Sequence, residues 1–102
     1  MQPLTDLREF VRHTDVIELC LNFDDRTGEL MLTLTLAQDP SGRSKVTLFF
    51  QDVSDFRIAE PVSGLLQIMH LEAEKRSGTF CVGDAENGVL SFRCSRMDRI
   101  AP

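Results

Sequence analysis

Three groups of residues in this chain carry side chains able to do chemistry. In "IMHLEAE" His70, Glu72 and Glu74 fall at alternate positions, and an imidazole with two carboxylates on one strand face is a donor set for a divalent metal or for general acid and base work. In "RHTDV" His13 and Asp15 stand two residues apart, residue types that could be half of a catalytic pair. In "TFCVGDAENGVLSFRCSR" Cys81 and Cys94 lie on either side of Asn87-Gly88, where two thiols are partners, ligands or packing.

Each group also has a plainer reading. Alternate strand positions are about 6.5 to 7 Å apart, so His70, Glu72 and Glu74 converge only if a neighbouring strand supplies the geometry; otherwise they form a solvated face. Thr14 and Asp15 suit the backbone groups at the end of a helix, with His13 near its negative pole. The chain has no G-x-S-x-G elbow, glycine-rich phosphate loop, H-E-x-x-H helix or EF-hand loop, so nothing builds a catalytic set around these groups. The expectation is a protein that is not an enzyme, with no catalytic residue, no metal and no cofactor.

The cysteines can be placed by register. With Asn87-Gly88 as the centre of a two-residue type I′ turn, Cys81 faces Cys94 in a non-hydrogen-bonded pair, with Cα atoms about 4.5 to 5.5 Å apart. They then share a face with Gly83, Ala85, Leu90 and Phe92, the more apolar set. Core packing by two reduced thiols is expected there rather than a disulfide or a zinc site, which needs further ligands.

The elements that must position these groups follow from hydrophobic period. In "PLTDLREFVRH" Leu4, Leu7, Phe10 and Val11 recur at three- and four-residue spacing behind Pro3 and Thr5, which predicts a short N-terminal amphipathic helix. From Asp15 the period becomes two. "DVIELCLNF" and "ELMLTLTLA" alternate around "DDRTG", and this predicts an antiparallel hairpin. Five more strands are predicted over "KVTLFF", "DFRIA", "LLQIMHLEAE", "TFCVG" and "VLSFRCSRM", with Phe49 and Phe50 on opposite faces. The fold class is mainly β (α+β): an antiparallel meander curled into a sandwich or half-open barrel, with one short helix, over residues 1–102 as a single domain.

Composition limits the partners. The 102 residues are 42% hydrophobic and 26% charged, an ordinary globular balance. The net charge of −5 is uneven, with 8 basic against 15 acidic side chains over residues 1–89. A net-acidic body without a basic stripe has the wrong sign for nucleic acid, and a charged partner is expected to be a basic protein. No apolar run approaches the length of a membrane span. Three cysteines without C-x-x-C spacing, and an N-terminus without a cationic and apolar leader, point to a cytoplasmic setting.

The order of the "RHTDV" junction, a Leu-rich hairpin, "VTLFFQDVSDFRI", "IMHLEAE" and a closing "GVLSFRC" resembles small immunity proteins of bacterial polymorphic-toxin systems, with a His-Asp start and a strand ending in Phe-x-x-Val. That resemblance implies binding and neutralising a cognate toxin, with no catalysis. The residues expected to meet a partner are His13, Asp15, Phe49, Asp52, Asp55, Phe56, His70, Glu72 and Glu74. The alternative, resting on the double-sided apolar runs "TLFF" and "GLLQIM", is a small β-barrel-like binder of an apolar small molecule.

Overall fold

Period-two alternation becomes strands nearly everywhere in the computed structural model, which describes residues 1–39, 41–59, 67–68, 70–84 and 88–100. The strands are β1 (Gln2–Leu4), β2 (Asp15–Phe23), β3 (Leu30–Ala37), β4 (Val46–Gln51), β5 (Ser54–Ile58), β6 (Leu71–Arg76), β7 (Thr79–Asp84), β8 (Leu90–Cys94) and β9 (Arg96–Ile100). They form two antiparallel sheets, a first in the order β1-β9-β4-β3-β2 and a second in the order β5-β8-β7-β6. The fold is therefore mainly β, as its sequence period requires. Among the described residues no helix is long and apolar enough to cross a membrane.

The two sheets share one core. Leu32, Leu34 and Leu36 of β3 and Leu48 and Phe50 of β4 are fully buried, and they face Val82, Leu90 and Phe92 of the second sheet. The rings of Phe50 and Phe92 meet edge to face across the core, with centroids 4.8 Å apart, an arrangement that aromatic quadrupoles favour. Phe49, one residue earlier, lies on the outer face and is half-buried.

The expected N-terminal helix is replaced by β1 and a three-residue 3-10 turn, Arg8–Phe10. Pairing of Gln2–Leu4 with β9 takes the first residues into the sheet. The three-residue spacing of Leu4, Leu7 and Phe10 is then met by a strand end and a 3-10 turn, whose own period is three. All three side chains are buried, while Val11 is exposed.

The β2–β3 hairpin forms as expected, pairing Phe23 with Leu30 and Leu21 with Leu32. Its loop closes with Asp24 N donating to Glu29 O and Gly28 N donating to Asp24 O, both at 2.8 Å. A bulge between Val16 and Glu18 interrupts the start of β2.

Two features break the simple meander. The single strand expected over "VLSFRCSRM" is two strands, because the chain turns at Ser95 from the second sheet into the first. The β4–β5 step turns beside it at Asp52, so a two-stranded ribbon bends from one sheet to the other. Ser95 Oγ donates to Asp52 Oδ2 at 2.6 Å and Ser95 N donates to Gln51 O at 3.0 Å, which ties the two bends together. The strand expected over residues 65–74 begins only at Leu71; His70 has φ 61°, a left-handed conformation that does not continue a strand. Gln67 makes one bridge to Asp15, and positions 65, 66 and 69 lie outside the described residues.

The predicted Cys81–Cys94 pairing is not formed. Cys81 stands opposite Arg93, and Cys94 opposite Phe80. β7 ends at Asp84 and β8 begins at Leu90, leaving an odd number of connecting residues where a two-residue turn leaves an even one. A one-residue change of register sends a side chain to the other face. Cys94 is buried and Cys81 faces outward, half-exposed. Asn87 lies outside the described residues. The two-residue turn is found instead at Ser77-Gly78, between the paired Arg76 and Thr79, with φ 51° and 81°; positive φ at both centres defines type I′.

Candidate functional site

Side chains pointing away from the core on the second sheet assemble into cross-strand rows. One row runs Arg57, Ser91, Gly83, Glu72 from β5 to β6, and the next runs Ser54, Arg93, Cys81, Glu74. Each row has cationic side chains toward β5 and β8, a carboxylate on β6 and small residues between. With strands about 4.8 Å apart, Arg93 and Glu74 are separated by two strand spacings, about 10 Å, and the small residues leave a trough. Three shallow depressions there, of about 310, 290 and 260 Å³, all touch Cys81. Gly83 sits at a close strand approach: a Cβ there would lie 3.2 Å from Leu90 O, tighter than ordinary contact, so the neighbouring backbone would have to give by a few tenths of an ångström.

The titratable groups of this face are largely paired off. His70 Nε2 lies 3.0 Å from Glu72 Oε1, Glu74 Oε2 lies 3.0 Å from Arg76 Nη2, and Asp55 Oδ1 lies 3.7 Å from Arg57 Nη2. The hydrogen bond to Glu74 holds the Arg76 guanidinium above its ordinary pKa. His70, Glu72 and Glu74 share the β6 edge of the face, but Glu74 turns to Arg76, so the three do not meet at one point. Among the described residues no group of three His, Cys, Asp or Glu side chains is placed to hold a metal ion. Arg93 makes no ion pair with a carboxylate among the described residues and stands in two of the depressions.

The remaining expected residues are dispersed. His13 is half-buried, edge to face with Phe10 at 6.1 Å, and its Nδ1 is buried without a hydrogen-bond partner among the described residues. Asp15 is buried and accepts from Gln67 Nε2 at 3.0 Å, which pins the start of β2; among the described residues no hydrogen bond or ion pair joins it to His13. Asp52 serves the bend with Ser95. Phe56 is half-buried, packs on Phe92 at 6.2 Å and belongs to the rim of the core. Phe49 lies on the outer face of the first sheet, across from Asp98. Asp98 itself is fully buried, with Arg96 Nε 3.0 Å from Oδ2. Neither Phe49 nor Phe56 is the exposed apolar group the sequence suggested.

Residues the sequence reading passed over carry much of the surface chemistry. Arg57, Arg93 and Ser91 build the cationic side of the trough, and only the paired register reveals them. On the first sheet, the exposed large apolar side chains include Ile17, Leu21 and Phe23 of β2, the last 71% exposed. Leu19, Leu21 and Phe23 face the same side as the core leucines of β3, and β2 is the last strand of its sheet among the described residues. Alternation in "DVIELCLNF" was legible, but not that the strand ends a sheet. Comparison of the chain with protein-family models, with curated proteins and with solved structures finds no match.

Proposed function

We propose that this domain is a non-enzymatic protein-binding module, acting in a reducing, cytoplasmic setting, whose binding face is the outer face of the second sheet. The observation that carries this reading is the pair of cross-strand rows, Arg57 to Glu72 and Arg93 to Glu74, set on a floor of Ser91, Gly83 and Cys81. Small side chains let a partner approach the sheet closely. Charges of fixed sign on the two sides set the partner's orientation, which is how complementary fields give specificity. The net charge of −5 favours a basic partner in the approach phase. The resemblance to immunity proteins supports a toxin domain as that partner.

Paired-off titratable groups support binding over catalysis. A general base works when it is free to take a proton, whereas Glu74 and Asp55 each already have a partner of opposite sign in Arg76 and Arg57, and His70 Nε2 lies against Glu72 Oε1. The alternative of an apolar-ligand carrier asks for a mostly apolar recess; the depressions on this sheet set Arg57, Arg93, Glu72 and Glu74 beside Val82 and Phe92.

The test uses the chain as bait in an extract of its host, beside Arg93→Glu and Glu74→Lys variants of unchanged melting temperature. A protein held by the wild type and released by both variants supports the reading. A protein held equally by all three places binding elsewhere and rejects this face.

A further inference from the structure

Cys81 is the common floor of the three depressions on the second sheet, which differ in the charges around them. Glu72, Glu74 and Asp84 line one, and Asp55 stands beside Arg57 in another. The third, of about 260 Å³, is lined by Arg76, Ser77, Thr79, Cys81 and Arg93. Its lining holds guanidiniums, hydroxyls and a thiol, groups that all donate hydrogen bonds, and no carboxylate.

Strand pairing brings these residues together from three elements. Thr79 and Cys81 alternate on the outer face of β7, with Arg76 of β6 opposite Thr79 and Arg93 of β8 opposite Cys81. The type I′ turn at Ser77-Gly78 joins Arg76 directly to Thr79, so their register is fixed by the turn. Arg76 Nη2 donates to Glu74 Oε2 at 3.0 Å, which orients the guanidinium and leaves its other N–H groups for a second acceptor. Among the described residues the Arg93 guanidinium has neither a hydrogen-bond acceptor nor an ion-pair partner.

We infer that this depression binds a carboxylate side chain of the partner, held between the Arg76 and Arg93 guanidiniums with the Thr79 hydroxyl beside them. The site rests on the reading of this face as a protein-binding one, and it adds to that reading that a partner steered by basic charge also brings an acidic residue. Charge decides for a carboxylate over a phosphate. Glu74 already neutralises Arg76, which leaves the Arg93 charge uncompensated. A carboxylate balances it. A phosphate, at about −1.5 to −2, would put excess negative charge on a chain whose net charge is already −5.

A library of random peptides displayed on phage and selected on the wild-type chain supplies the probe. Each binder is then tested on Arg93→Gln and Glu74→Lys variants of unchanged melting temperature. Binders released by Arg93→Gln are expected to share one Asp or Glu. For a synthetic peptide of their common sequence, fluorescence anisotropy should show binding weakened at least about tenfold by Arg93→Gln, and equally by an amide in place of the peptide's acidic residue. Both changes together should cost little more than either alone, because they remove the same contact. Phosphoserine at the acidic position should bind no tighter. Released peptides without a shared acidic residue, additive effects of the two changes, tighter binding by phosphoserine, or a library yielding no peptide that Arg93→Gln releases each overturn the carboxylate site. Peptides released by Glu74→Lys but not by Arg93→Gln remove this site and leave the binding face standing; peptides indifferent to both variants count against the face as well.

Discussion

Cys81 stands directly across from Arg93 on the outer face of the second sheet, and this one relationship decides which thiol of the β7–β8 pair meets solvent. Cys94, opposite Phe80, is 1% exposed. A thiol reagent applied to the native protein should therefore label Cys81 and Cys20 while sparing Cys94, which reacts only after unfolding. Peptide mapping by mass spectrometry reads the order directly. Native labelling of Cys94 as fast as Cys81 would refute the register.

Burial pushes the Cys94 thiol from an ordinary 9.0 up to about 12, because the thiolate would lose its hydration in the core. In the folded state the thiol stays protonated while the unfolded chain begins to ionise near pH 9, so the unfolded state binds fewer protons and stability falls as pH rises through that window. At about 1.4 kcal/mol per unit, this group alone removes up to about 4 kcal/mol by pH 12. Denaturant titrations of the wild type and Cys94→Ala should converge as pH rises from 8 to 11. A parallel pair of curves would contradict the shift.

The contrast between Phe92 and Phe23 separates core from edge. Phe92 is buried against Phe50 and Phe56, and Phe92→Ala should cost about 3 to 5 kcal/mol. Phe23 is 71% exposed, and Phe23→Ser should change stability by no more than about 0.5 kcal/mol while raising solubility. Urea unfolding measures both.

The bend offers a pairwise test. Ser95 Oγ and Asp52 Oδ2 join two strands that cross between sheets, and Asp52 holds φ 57° to do so. A double-mutant cycle with Ser95→Ala and Asp52→Ala should give a coupling of about 0.5 to 1.5 kcal/mol. Zero coupling would make the bond incidental to the bend.

Local pattern made the β2–β3 hairpin legible, because alternation and the "DDRTG" loop agree on one register. It misled at Leu4, Leu7 and Phe10, whose spacing suits a helix, a 3-10 turn or a strand end followed by one; pairing of Gln2–Leu4 with β9, from the far end of the chain, chose the last. Asn87-Gly88 gave the stronger turn signal, yet the type I′ turn formed at Ser77-Gly78. Alternation in "VLSFRCSRM" runs on through Ser95 without marking where the chain changes sheets. Of the candidate face, Glu72 and Glu74 were readable from one segment. Arg57 and Arg93 were not, since they become neighbours of Cys81 and Ser91 only through pairing of strands distant in sequence.

Binding kinetics on the captured partner test the proposed face most directly. The wild type, Arg93→Glu and Leu21→Lys chains are compared at low and physiological salt, each first matched for melting temperature. The account predicts that the acidic chain associates faster at low than at physiological salt, that Arg93→Glu, by reversing one fixed sign of the face, speeds dissociation at least about tenfold, and that Leu21→Lys, on the other sheet, dissociates as the wild type does. Dissociation unaffected by Arg93→Glu, or binding lost with Leu21→Lys alone, would contradict it.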